Sequence, residues 1–194
     1  MEETESARRL RDNLLMSEYI IDGLTIEACQ CGDPEAFRLV FESYKDRVYS
    51  IALCFFNGDE AAAKDITQDV FLKLMTTISK FENRSEFSTW LYRVVTNACL
   101  DRKRALRRWL FVDADVKDRR KSIEEAYIQR DLEASVREAV ATLRPKLRIA
   151  ILLKYFEDLS YEEMAAALGC SKGTVASRLN RGHRILARKL RHHV

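Results

Sequence analysis

The sequence predicts an all-α protein built as two small helical domains joined by a linker. Three observations carry this. Of 194 residues, 47% are hydrophobic, only six are glycine and two proline, and apolar residues recur at three- and four-residue intervals along most of the chain. The hydrophobic share suffices for packed cores. So few turn residues suit helices with short connections and argue against a many-turned sandwich or barrel.

The first helix is expected near Leu24, closed by Gly32. Asp33-Pro34 reads as an N-cap followed by first-turn proline. The helix it opens carries Phe37, Val40, Phe41, Tyr44, Val48, Ile51, Ala52 and Phe55 on one side and ends near Asn57-Gly58. A third helix, about Asp59 to Ser79, sets Ala63, Ile66, Val70, Leu74 and Ile78 on one side, with Phe71 and Met75 widening the apolar arc. That arc exceeds what one packing face requires, so either two helices pack on it or part of it awaits a partner.

"FSTWLYRVVTNACLDRKRA", residues 87–105, is the next helix. Phe87, Leu91, Val94, Val95 and Ala98 make its inner side. Tyr92, Arg93, Thr96, Asn97, Lys103 and Arg104 are expected on the outer side, with Trp90 at the border. Rings beside cations suit a protein that holds separated nucleic-acid strands: a ring captures an unstacked base, worth about 1–3 kcal/mol, and cations such as Arg93, Arg102, Lys103 and Arg104 hold the phosphates.

Residues 106–122, "LRRWLFVDADVKDRRKS", are mixed in charge and weakly periodic, and read as a linker. The resulting division is an N-terminal extension (1–23), a first domain (24–105), the linker (106–122) and a second domain (123–194). In the second domain Ile128, Leu132, Val136, Ala139, Val140 and Leu143 form a stripe, and Arg144-Pro145 starts an apolar-rich helix ending near Phe156.

"LSYEEMAAALGCSKGTVASRLNRGHRILARKL" has the parts of a helix-turn-helix in order. Ser160 and Glu163 form a capping box. Tyr161, Met164, Ala165 and Leu168 face inward, Gly169 turns the chain, and Ser171 caps the second helix. Val175, Leu179, Gly182 and Leu186 anchor that helix. From Ser171 to Val194 there are seven Lys and Arg residues and no Asp or Glu, within a net charge of only +3, so this end favours a polyanion. The DNA-binding candidates are Ser171, Lys172, Thr174, Ser177, Arg178, Asn180, Arg181 and Arg184, early turns at base edges and arginines on phosphates.

No phosphate-binding glycine loop, metal cluster or nucleophile–base pair stands out, so neither catalysis nor a cofactor is expected. Cys29 and Cys31 make a C-x-C pair with no companion ligand pair, and five cysteines in no framework spacing fit a reducing compartment. The N-terminus begins acidic, without an apolar signal core, and no apolar run approaches membrane-spanning length. A cytoplasmic protein is expected.

"GDPEAFRLVFESYKDRVYSIA", "AAAKDITQDVFLKLM", "FSTWLYRVVTNACLDRKRA" and "LSYEEMAAALGCSKGTVASRL", in this order, resemble the extracytoplasmic-function sigma factors of bacterial RNA polymerase from about Leu24 to Leu190. The resemblance implies that the "DITQDVF" helix docks on the polymerase core through Asp65, Gln68, Asp69 and Phe71. It also implies that the helix bearing Trp90, Tyr92 and Asn97, with the loop from Phe81 to Ser88, reads and opens the minus-ten element. One everted base would sit at Asn97, while the helix-turn-helix binds the minus-thirty-five element. Core enzyme, promoter DNA and an anti-sigma factor are the implied partners. Two departures stand out: Arg181-Gly182-His183 replaces the family's frequent Arg-Ala-Arg, and Ala176 stands where some members carry a base-reading arginine. The competing reading is a helix-turn-helix transcriptional regulator with a ligand-sensing or dimerising first domain.

Overall fold

The computed structural model describes residues 21–112 and 128–191, and every regular element among them is helical. Asp22 accepts from the Thr25 amide at 2.8 Å and starts α1, Gly23–Gln30. Gly32, at φ +87°, turns the chain out of it. Asp33 then accepts from the amides of Glu35 and Ala36 to cap α2, Pro34–Phe55. Asp59 caps α3, Glu60–Thr77, which tightens into a 3-10 turn over Ile78–Lys80. After an exposed loop, α4 runs over Phe87–Val112. It passes Ala105 without a break because Leu106, Arg107 and Arg108 are good helix formers and neither glycine nor proline stops it. The first part of the expected linker is therefore helical, and residues 113–122, with the expected domain start at 123, lie outside the described residues.

The second unit comprises α5 (Ile128–Ala141), α6 (Pro145–Phe156), α7 (Tyr161–Leu168) and α8 (Lys172–Lys189). The capping box is formed as expected: the Glu163 amide donates to Ser160 Oγ at 3.2 Å and the Ser160 amide to Glu163 Oε2 at 2.7 Å. Gly169 turns at φ +58°. Met164, Val175 and Leu179 are buried between α7 and α8, whereas Tyr161 and Val136, expected inside, are exposed.

In the first unit α2, α3 and α4 form a bundle around Val48, Ile51, Ile66, Val70, Leu74, Leu91 and Val95, with α1 packed on α2. The two units do not stand apart: α7 packs along α4, and α6 against α2. The reason lies in α6, where Ile149, Ala150, Ile151, Leu152 and Leu153 are all buried in succession. A helix apolar all round must be covered on every side. Within its own unit α8 and α7 cover only part of it, and α2 and α4 take the rest.

This packing overturns the outward placement of Tyr92 and Thr96, each 2% exposed. The Tyr92 hydroxyl donates to the Glu157 carboxylate just past α6, and the second unit occupies the part of the outer side of α4 that holds Tyr92 and Thr96, leaving Arg93 and Asn97 exposed. Burial pushes the Glu157 carboxyl above its usual range, opposed by the Tyr92 hydrogen bond and by Arg47; Tyr44 lies within electrostatic reach of the same group. A carboxyl whose pKa is raised by folding stabilises most below its unfolded value, and that contribution is lost as pH rises through the raised value. The Glu157→Gln variant should therefore show a flatter stability–pH profile than the parent and at least equal stability at pH 7. Denaturant titrations from pH 5 to 8 check this, and a parent profile already flat would contradict it.

Candidate nucleic-acid and polymerase interfaces

The outward line of α4 consists of Trp90, Arg93, Asn97 and Arg104, spaced 3, 4 and 7 residues apart. Arg93, Asn97 and Arg104 are exposed and Trp90 is half-buried. The Trp90 ring rests on Phe81 and Phe87, with centroids at 5.4 and 6.0 Å, and those two meet edge-on at 5.6 Å. One part of the indole is thus held by a small aromatic cluster while the rest meets solvent. Tyr92 stands away from this line.

The flanking cations divide. Arg102 pairs with Asp65 of α3 at 3.2 Å, and Arg104 pairs with Asp101 one turn away, whereas Lys103 is exposed. The Asp65–Arg102 pair joins two residues that the sequence assigns to different surfaces. Both are substantially exposed, so the pair is weak and can be exchanged for phosphate or a partner side chain.

Beside the line, the loop from Phe81 to Phe87 and the start of α1 enclose a hollow of about 400 Å³, walled by Asp22, Gly23, Asn83, Arg84, Ser85 and Glu86 among others. Asn83 adopts a left-handed conformation at φ +53°. Asn97 is not on the wall of this hollow; it stands three turns along α4 from the loop. Gln30 is a positioning residue that sequence reasoning missed: its Nε2 donates to Phe81 O at 2.7 Å and Ile78 O at 3.2 Å and so fixes the near end of the loop. A contact across 51 residues leaves no local pattern to find.

On α8, Ser177, Asn180, Arg181 and Arg184 are exposed together, opposite the buried Val175, Leu179 and Gly182. Arg178 and Thr174 sit half-buried on the flank. Ser171 and Thr174 are engaged in starting the helix, the Thr174 amide donating to Ser171 Oγ at 3.2 Å, and Lys172 pairs with Glu162 of α7. Gly182 has a packing cause: a Cβ there would lie 3.0 Å from the Ile151 side chain of α6. His183 is likewise engaged, its Nε2 3.0 Å from the Tyr155 hydroxyl.

On α3, Asp65, Gln68 and Asp69 are exposed. Phe71, also expected at a partner surface, is only 4% exposed, because its ring closes edge-on against Phe41 of α2 at 4.7 Å. The apolar side chains that reach solvent are Leu72 (54%) and Met75 (58%), beside a hollow of about 400 Å³ that Phe37, Phe41 and Phe71 also line. Part of the wide arc thus has no cover among the described residues.

Against known families, residues 40–109 match the model for sigma-70 region 2 and residues 133–186 that for sigma-70 region 4. The extracytoplasmic-function sigma factor SigW of Bacillus subtilis is 32% identical over 179 residues, spanning 86% of this chain and 95% of that protein. The sigma-E factor of Escherichia coli K12 is 32% identical over 188 residues, 90% of this chain and 97% of that one. Among solved structures, the sigma factor RpoE of Bartonella quintana, bound to the anti-sigma factor NepR, aligns with a TM-score of 0.68 at 26% identity over 80% of this chain and 96% of that one. CnrH, in complex with the cytosolic domain of CnrY, shares the fold at a TM-score of 0.66 and 21% identity, covering 89% of this chain and 98% of that one.

Proposed function

We propose a division of labour for this chain, which belongs to the extracytoplasmic-function family of RNA polymerase sigma factors: α3 docks on core enzyme, α4 and its loop open the minus-ten element, and α8 grips the minus-thirty-five element. The observation that carries it is the pair of exposed polar faces, Trp90–Arg93–Asn97–Arg104 on α4 and Ser177–Asn180–Arg181–Arg184 on α8, in one chain. The first suits single strands and the second a duplex major groove. The match over residues 40–109 is to sigma-70 region 2, which leaves the ligand-sensing or dimerising regulator without support.

Core enzyme supplies the nucleotidyl transfer; this chain supplies recognition and strand capture, and acts in the cytoplasm beside the polymerase. An anti-sigma factor is its regulatory partner. Leu72 and Met75, rather than Phe71, provide the apolar part of the core-docking surface, with Gln68 and Asp69 as polar neighbours. The loop hollow takes an everted base, while Asn97 and Arg93 contact the strand farther along α4. Run-off transcription with purified core enzyme over a genomic template library tests the reading: promoter-specific starts are expected, and their absence would refute it.

Trp90 is the stacking ring of this scheme, and Tyr92 is not. Trp90→Ala should weaken open-complex formation by about 1–3 kcal/mol, the range for one base stacked on an aromatic ring, and leave closed-complex affinity nearly unchanged. Permanganate reactivity of unpaired thymines reads the first and filter binding on ice the second. Equal losses in both would show that the ring serves packing alone.

A further inference from the structure

A helix with its side chains is about 10–12 Å across and the major groove about 12 Å wide, so both phosphate backbones pass close to the flanks of a helix lying in it. Each flank then needs a donor. On α8 the face Ser177–Asn180–Arg184 separates two unlike flanks. One carries Arg178, Arg181 and Arg188. By helical period the other carries Ala176, His183 and Ala187, with Lys172 at its start already paired to Glu162 of α7. Among the described residues of α8, that flank has no arginine.

Tyr155, in the last turn of α6, stands there instead. Ile151 and Tyr155 are one turn apart on α6 and meet consecutive residues of α8: a Cβ at Gly182 would lie 3.0 Å from Ile151, and the Tyr155 hydroxyl is 3.0 Å from His183 Nε2. The two rings meet edge-on, with centroids 5.8 Å apart. This brings the phenol over the edge of α8. Tyr155 is 66% exposed, so burial gains it little, and the end that the contact fixes is the hydroxyl.

We propose that Tyr155 is a DNA contact of the second unit, its hydroxyl donating to a phosphate of the backbone on the alanine flank, with His183 as its positioning residue. This rests on the placement of α8 on the minus-thirty-five duplex given above. A neutral imidazole carries one N–H; with that hydrogen on Nε2 it donates to the phenol oxygen and leaves the phenol's own proton for an outside acceptor. Hydrogen bonds in such a chain polarise one another, and an anionic oxygen is the acceptor that gains most. Ala176 and Ala187, seven residues before His183 and four after it, keep the approach clear because neither side chain extends past its Cβ. The two flanks then hold the duplex by different chemistry. Arginines fix one backbone by charge, and the phenol fixes the other by direction, which sets how far α8 rolls in the groove and so which bases Ser177 and Asn180 meet.

Tyr155→Phe keeps the ring and removes the hydroxyl. With promoter duplexes recovered from the run-off library, its affinity should fall about tenfold, while the slope of log affinity against log salt stays that of the parent because no charge is lost. Arg181→Ala should instead reduce that slope by about 0.9. Single methylphosphonates stepped along both strands locate the contact. One position should weaken the parent but not Tyr155→Phe, and it should lie on the opposite backbone from any position to which Arg181→Ala turns insensitive. His183→Ala should lose part of the affinity, and His183→Gln, which keeps an N–H donor, should regain it; no recovery would overturn the positioning role. Parent-like binding by Tyr155→Phe, or a loss tied to no single phosphate, would overturn the contact while Arg181→Ala still supports α8 on DNA. A parent that does not favour promoter duplex over random duplex would strike the placement of α8, and this contact with it.

Discussion

Arg148→Ala should cost about 3–5 kcal/mol of folding stability, the range for withdrawing one partner from a buried charged network. Arg148 is 6% exposed, and burial lowers the pKa of its guanidinium. Its Nε donates to Val140 O at 3.1 Å, and one terminal nitrogen donates to Leu143 O at 3.3 Å and to Ala141 O. The other reaches Phe55 O. These carbonyls close α5 and α2, where a cation also meets the negative ends of two helices. The planar fork satisfies them at once, so the desolvated charge is repaid by four acceptors. Alanine leaves those acceptors facing a cavity. Lysine should restore less than half of the loss, because a single ammonium cannot reproduce the fork. Urea titration of the full chain, with an unchanged m-value, measures the effect; a loss under about 1 kcal/mol would mean that water replaces the guanidinium.

Arg148 also marks where reading the sequence stops. The caps at Asp33, Ser160 and Ser171 and the turn at Gly169 are local chemistry, and each forms as its spacing predicts. The α8 face follows from helical period alone. Tyr92 was misplaced because a helical wheel knows two sides, core and solvent, whereas α4 has a third, taken by the second unit. A signal for that existed in α6: five successive apolar residues, Ile149 to Leu153, need cover on every side, and the described helices of their own unit leave a side to α2 and α4. Phe71 is buried for a related reason. The width of the α3 arc is visible from sequence, but which edge of it α2 covers depends on where Phe41 lies across the bundle. Gln30 and Arg148 act through contacts 51 and 93 residues away, and no local pattern announces such pairings.

Replacing Leu72 and Met75 together by glutamate should cut affinity for core enzyme by at least about a hundredfold, as expected when a central apolar contact worth about 2 kcal/mol or more is lost from each position. Each side chain is more than half exposed, so the free chain gains little from them and its melting temperature should hold. In a complex the same side chains leave water, which contributes roughly 1.5–3 kcal/mol per large apolar residue. A carboxylate in their place must instead be desolvated or held out of the interface, which turns a gain into a cost. The neighbouring Phe71 serves as the contrast: Phe71→Ala empties a site beneath Phe41 and should lower stability by about 3–5 kcal/mol, so its loss of core binding would follow unfolding. Competition with the parent for core enzyme, run beside thermal melts and binding to a minus-thirty-five duplex, separates these outcomes. Undiminished core binding by the double glutamate variant would move the docking surface off α3.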